Sequence, residues 1–134
     1  MILADTSAWV EYDRATGSPT DERLTDLIRG GGEGLAVTEP VLMELLAGAR
    51  TDEQSNDLRR LLTSFEWITA DVVADFEGAA LLYRRCRSAG VTPRGLVDCM
   101  IATIALRTGA EILALDGDFN AIAEIVPLRL SRSD

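Results

Sequence analysis

The sequence predicts a three-layer α/β domain with a mostly parallel sheet, and three observations carry that reading. Short apolar runs alternate with longer amphipathic segments along all 134 residues, without internal repeat, low-complexity tract or linker. The chain is long enough, and at 47% hydrophobic apolar enough, to bury one core without disulfides or structural metal, so residues 1–134 are expected to form a single domain. The segment 94–119 reads as a buried helix feeding a short apolar strand that stops at acidic residues, which sets those acids at the carboxyl edge where an open parallel sheet binds ligands.

Residues 1–4 form the first expected strand, which ends at Asp5-Thr6-Ser7. A helix follows over 8–12 with Trp9 as a core anchor; Thr6 or Ser7 serves as its N-cap, which leaves Asp5 ahead of the capping position and unexplained by it. Ser18-Pro19 with Asp21 and Glu22 is a helix start by cap, proline and acidic first turn, and Leu24, Leu27 and Ile28 give the apolar stripe. Gly30-Gly31-Gly32 ends that helix and precedes a strand, so it reads as a flexible connection and not as a phosphate cradle.

Residues 35–37 form the second strand, and Thr38-Glu39-Pro40 opens a helix over 41–49 whose buried stripe is Val41, Leu42, Leu45 and Leu46. Glu39 reads as a solvated helix residue. Glu44 lies between apolar neighbours within two turns of the helix start, close enough to the strand's carboxyl edge to meet Asp5. Residues 52–65 make an amphipathic helix through Leu58, Leu61, Leu62 and Phe65, and Trp67-Ile68 a brief strand. A long helix over 71–89 places Val72, Phe76, Ala79, Ala80 and Tyr83 at core spacing, with Gly90 closing it. Its last turns carry Arg84, Arg85 and Arg87, which either answer the helix dipole at the surface or, with Arg94, supply a phosphate-binding patch.

The helix over 95–106 is apolar around nearly its whole circumference and therefore buried, yet it contains Asp98. A carboxylate there is costly unless something positive or hydrogen-bonding meets it. Arg107 and Gly109 end the helix, and the strand over 111–115 stops at Asp116-Gly117-Asp118. Because helix and strand run antiparallel, Asp98 shares a sheet edge with Asp116 and Asp118. Ala121, Ile122 and Ile125 indicate a short helix, and residues 126–130 a last strand held to the sheet's edge by Pro127.

Composition narrows the chemistry. There is no His, which removes histidine bases, Ser-His and Cys-His pairs and histidine-ligated zinc; all 13 basic residues are Arg, which removes a P-loop lysine. Cys86 and Cys99 lack metal-site or disulfide-framework spacing and fit a reducing compartment. The N-terminus has no basic segment ahead of its apolar residues, and no apolar run reaches membrane-spanning length, so a cytoplasmic protein without a membrane partner is expected. A net charge of −9 argues only weakly against nucleic acid, because acids clustered in one pocket are neutralised by divalent ions and an enzyme needs only a local basic patch.

Asp5, Glu44, Asp98, Asp116 and the adjacent Asp118 come from separate segments and converge on one edge. Singly, Asp98 suits a helix dipole and Asp116-Gly117 an ordinary turn; together, like charges so close need a cation. Hard oxygen ligands in that number suit Mg²⁺, with Mn²⁺ as the substitute, and point to metal-assisted phosphodiester hydrolysis, which needs no histidine.

On DTSAWV at 5–10, VLMELLAG at 41–48, R-x-x-V-D-C-M-I-A at 94–102 and LDGDF at 115–119, the sequence resembles the PIN-domain nucleases, and most closely their VapC-type toxin branch from toxin-antitoxin pairs. Order and spacing make the resemblance specific, and it spans essentially the whole chain. It implies a five-stranded sheet ordered 3-2-1-4-5 and Mg²⁺-dependent endoribonuclease activity, with tRNA and rRNA as candidate substrates. It also implies a homodimer and a small cognate antitoxin. Carried over position by position, Asp5, Glu44, Asp98 and Asp116 are the acidic, metal-holding set, Asp118 stands beside it, and Ser7 or Thr6 is the orienting hydroxyl. Arg94 matches an arginine common in that branch. The alternative from another class is a metal-dependent adhesion-type binding module, whose D-x-S-x-S loop fits Asp5 and Ser7 but fails at Trp9. An aspartate-phosphorylating phosphatase ranks last, since the second Asp and the Lys are missing.

Overall fold

The first strand, β1 (Ile2–Ala4), is the axis of a parallel sheet, and the computed structural model describes residues 1–132 apart from Asp116 and Asp118. After β1 come α1 (Thr6–Asp13), α2 (Pro19–Arg29), β2 (Leu35–Thr38), α3 (Glu39–Ala47), α4 (Asp52–Leu62) and β3 (Glu66–Ile68). The chain continues through α5 (Ala74–Ser88), α6 (Leu96–Thr108), β4 (Glu111–Leu113) and α7 (Asn120–Ile125). The strand order is β3-β2-β1-β4, with every pairing parallel: Ile2 stands opposite Leu35 on one side and Glu111 on the other, and Ala36 opposite Glu66. Parallel neighbours demand helical crossovers, which bury both faces of the sheet. Hence Leu3, Ala4, Leu35, Ala36, Val37, Ile112 and Leu113 read as continuous apolar runs and are all buried. Each large side chain among them contributes about 1.5–3 kcal/mol over exposure.

The expected α/β architecture and the 3-2-1-4 order hold, and the fifth strand does not form as a strand. Leu130 makes a single parallel bridge to Ile112, through Ile112 N–H to Arg129 O (2.9 Å) and Ser131 N–H to Ile112 O (2.8 Å). Pro127 brings no N–H, and Leu128 N–H turns back to Val126 O at 2.7 Å, so the backbone that a longer ladder would use is already folded on itself.

The long helix is shorter and rotated relative to expectation. It starts at Ala74 because Asp71 Oδ1 accepts from the N–H groups of Val73 (3.0 Å) and Ala74 (2.8 Å). Its buried face is Asp75, Ala79, Leu82 and Cys86, while Val72, Phe76 and Ala80, placed in the core by spacing, lie at the surface. The contact line with α6 runs past Gly78, where an added Cβ would stand 2.7 Å from Thr103 Cγ2, so only a glycine permits this approach. Similarly, α4 ends at Leu62 and not at Phe65; Phe65 packs beyond the helix on Trp9, ring centroids 5.7 Å apart.

Two polar ties hold the frame. Arg107, predicted only to end a helix, sends Nε to Asp75 Oδ1 and an Nη to Asp75 Oδ2 (both 2.8 Å), and reaches Thr69 O at 3.0 Å. Glu39, predicted to be solvated, accepts from Trp67 Nε1 (2.9 Å) and Ala70 N–H (2.7 Å) and fastens the start of α3 to β3. Burial alone would raise the Glu39 carboxyl; those donors outweigh it and hold it below the usual range. Gly109 closes α6 at φ 75°, the left-handed conformation that a non-glycine residue resists. Among the described residues no helix is long and apolar enough to cross a membrane.

Candidate metal and phosphodiester site

The carboxyl ends of β1 and β4 are joined by Asp5 N–H, which donates to Leu113 O at 2.8 Å. At that point the chain turns into α1, and Asp5 itself is the N-cap, with extended backbone (φ −70°, ψ 162°). This corrects the expectation that Thr6 or Ser7 caps the helix. The D-x-S spacing carried the signal, since an aspartate accepting from the amide two residues on is a recurrent turn.

Capping uses one carboxylate oxygen only. Asp5 Oδ2 accepts from Ser7 N–H (3.0 Å) and Ser7 Oγ (2.7 Å), whereas Oδ1 is buried with no hydrogen-bond partner among the described residues. With Asp5 just 4% exposed, an unmatched anionic oxygen is costly to fold. Burial pushes the Asp5 carboxyl above its ordinary range, the two Ser7 bonds pull it back, the nearby Glu44 charge raises it again, and the Thr6 amide lowers it slightly.

Glu44, half-buried on the second turn of α3, is held by Thr6 Oγ1, which donates to its Oε1 at 2.6 Å. Adjacent hydroxyls therefore fix two acids: Ser7 fixes Asp5 and Thr6 fixes Glu44. Ser7 Oγ also accepts from Leu115 N–H at 2.9 Å, which ties the turn after β4 to the same point. Sequence reasoning missed that bond, because nothing in a sequence pairs residues 108 positions apart.

The other predicted positions divide into three groups. Asp98 is half-buried in the first turn of α6, whose start lies at this edge because α6 leads directly into β4. Asp116 and Asp118 lie outside the described residues. Arg84, Arg85 and Arg87 are exposed on the last turns of α5, Arg87 with its guanidinium 5.9 Å from the Tyr83 ring centroid, and Arg94 is exposed just before α6. Cys86 lies beside Cys99, so the end of α5 lies near the start of α6 that carries Asp98. Among the described residues no three acidic or cysteine side chains stand together as a metal site; the acids that the described structure joins are Asp5 and Glu44. The thiols take no part: both are buried, and the Cys99 thiol is pushed up to about 11 by burial first and then by Cys86 and Asp98.

The PIN domain profile matches residues 2–125. The chain belongs to the PIN-domain family. This PIN domain is 44% identical over 129 residues, 96% of each chain, to Ribonuclease VapC11 of Mycobacterium tuberculosis and equally to a VapC ribonuclease of Mycobacterium bovis, which places it in the VapC branch. Its fold is shared by VapBC2 of Rickettsia felis, solved bound to a promoter DNA fragment (TM-score 0.73, 20% identity, all of both chains). It is shared too by VapC20 of Mycobacterium tuberculosis, described as a sarcin-ricin loop cleaving toxin (TM-score 0.67, 22% identity, 96% of this chain and 99% of that one). A toxin-antitoxin complex from Klebsiella pneumoniae has the same fold (TM-score 0.65, 20% identity, 97% and 100%). Family membership sets aside the adhesion-type module and the phosphatase.

Proposed function

We propose that this PIN domain is a Mg²⁺-dependent endoribonuclease toxin that hydrolyses RNA phosphodiester bonds and is neutralised by a cognate antitoxin. One observation supports the metal: Asp5 Oδ1 is buried and, among the described residues, without a donor, beside a second acid at the carboxyl edge of the sheet. A hard divalent cation completes that oxygen as no residue of this chain does among those described. Asp5 and Glu44, with Asp98 and Asp116, are the residues that would hold it. When bound, the ion supplies the charge that acidifies a water and offsets the anionic phosphate.

The protein's own groups do the rest. Ser7 locks the Asp5 rotamer through two bonds to Oδ2 and so aims Oδ1; Thr6 does the same for Glu44. Arg94, Arg84, Arg85 and Arg87 bind phosphates on either side of the cut, a local cationic rim on an acidic chain. The ribonuclease and antitoxin assignments draw support from the VapC relatives and the toxin-antitoxin neighbours. The test is to incubate the purified protein with total RNA, with Mg²⁺ and with EDTA, and to map the cut ends. Discrete cuts that EDTA abolishes are expected; intact RNA under every divalent metal would overturn the reading.

The second copy in a homodimer belongs on α3, α5 and α6. There a groove of about 440 Å³ is lined by Met43, Phe76, Ala80, Leu96 and Met100, with Glu39 its one charged residue. A chain of net charge −9 repels its own copy except through a face nearly free of charge. Phe76 is 58% exposed at its centre. Phe76→Glu is expected to convert a dimer to a monomer in sedimentation equilibrium while helical circular dichroism stays unchanged; a variant that still dimerises would place the second copy elsewhere.

A further inference from the structure

Along the outer side of β4 runs a cleft of about 430 Å³, within the range of roughly 300–1,000 Å³ usual for small-ligand sites. It exists because the fifth strand is reduced to one bridge, which leaves the flank of β4 uncovered toward its carboxyl end. The floor is apolar, with Leu113 and Phe119 almost fully buried, and the walls are polar: Ser18 and Thr20 on one side, Ser131 and the exposed Arg132 on the other. Leu115, also in the wall, donates its N–H to Ser7 Oγ (2.9 Å), and Ser7 Oγ donates to Asp5 Oδ2 (2.7 Å). Two hydrogen bonds thus separate the cleft from the unmatched acid.

The occupant must have apolar faces for the floor, hydrogen-bonding edges for the hydroxyls, and an attached anion within reach of Arg132. A nucleobase on its sugar-phosphate has all three, provided it is unpaired, since a base stacked in a duplex offers neither face. Resting on the nuclease reading above, we propose that this cleft seats one unpaired nucleobase beside the scissile phosphate and so selects the nucleotide at which the RNA is cut. Thr20 shows how the wall is preset: its hydroxyl already donates to Ala114 O at 3.2 Å, so its lone pairs face donors on the base.

Ser131→Trp fills the cleft without touching the proposed acids, and the Ser131 N–H bond to Ile112 O is a backbone bond that the substitution keeps. Four single-stranded RNA oligonucleotides, differing only in the base beside the mapped cut, should show a wild-type preference of about tenfold in kcat/KM. Ser131→Trp should cleave all four alike. A readout independent of cleavage is the titration of AMP, GMP, CMP and UMP into ¹⁵N-labelled protein, followed at the amides of Thr20, Ala114 and Ser131. Those amides should shift in the wild type and stay still in Ser131→Trp. Should the Trp variant not fold, Arg132→Ala, at an exposed position, should weaken nucleotide binding. Identical base preference in wild type and variant, or nucleotides that leave the cleft amides unmoved, would overturn the cleft assignment alone. Nucleotides that bind the cleft of a protein cutting no RNA would overturn the nuclease reading and leave the cleft standing.

Discussion

Replacing Asp5 with Asn is expected to reduce RNA cleavage by about 100-fold or more while raising the melting temperature of the metal-free protein. Removing a direct metal ligand should cost at least as much as the 10–100-fold typical of groups one layer out. The stability gain has a separate cause. The Asn oxygen keeps the two bonds that Ser7 now gives Oδ2, and an amide NH₂ replaces the unpartnered Oδ1, turning a repulsion toward Glu44 into an attraction. For a chain of this size each kcal/mol recovered raises the melting temperature by roughly 3–6 °C. Mg²⁺ at ten times its dissociation constant should add about 1.4 kcal/mol to the wild type and nothing to the variant. Thermal melts with and without Mg²⁺, read beside a cleavage assay, check all three. An Asp5→Asn protein that cuts RNA at the wild-type rate would remove Asp5 from the site.

The opposite sign is expected where the end of α6 meets the start of α5. Arg107→Ala leaves Asp75, at 0% exposure, with the Asp71 amide (2.7 Å) as its one remaining donor among the described residues, and should destabilise the fold by about 3 kcal/mol. That corresponds to a melting temperature lower by roughly 10 °C. The loss depends on pH in a defined direction. Burial tends to raise the Asp75 carboxyl, but the Arg107 fork and the Asp71 amide outweigh it, so its folded value lies below the ordinary one. Such a group contributes stability that is complete above the ordinary carboxylate value, near 3.8, and is lost as the pH falls through the lower folded value. The gap between wild type and Arg107→Ala should therefore be widest near neutrality and narrow below about pH 4. Urea melts across that range measure it. A gap independent of pH would mean that Arg107 acts through packing and not through its partner's charge.

The fold was legible because parallel strands bury both faces. Runs such as Leu3-Ala4 and those at 35–37 are interior for that reason, and the caps at Ser18 and Gly109 punctuate the helices by local chemistry. What depended on distant partners was not legible. The face of α5 is set by Gly78 meeting Thr103, and a spacing that allows two apolar stripes cannot say which meets α6. The charged ties failed for the same reason: Arg107 and Glu39 find partners 32 and 28 or 31 positions away and look like surface residues until the chain is folded. That Asp5 and Glu44 stand near one another was readable from their place after β1 and β2. That Asp5 caps α1 with one oxygen and strands the other emerges only from geometry.

The Ser7 hydroxyl has a single hydrogen, and that hydrogen points at Asp5 because its lone pair already receives the amide of Leu115. Polarity along these three groups therefore runs one way, each donor sharpening the next, and it ends on an oxygen that can only accept. Any proton that Asp5 carries is thereby confined to Oδ1, the oxygen turned away from Ser7. The scaffold thus fixes the single atom at which a proton and a positive solute arriving at the sheet edge would compete.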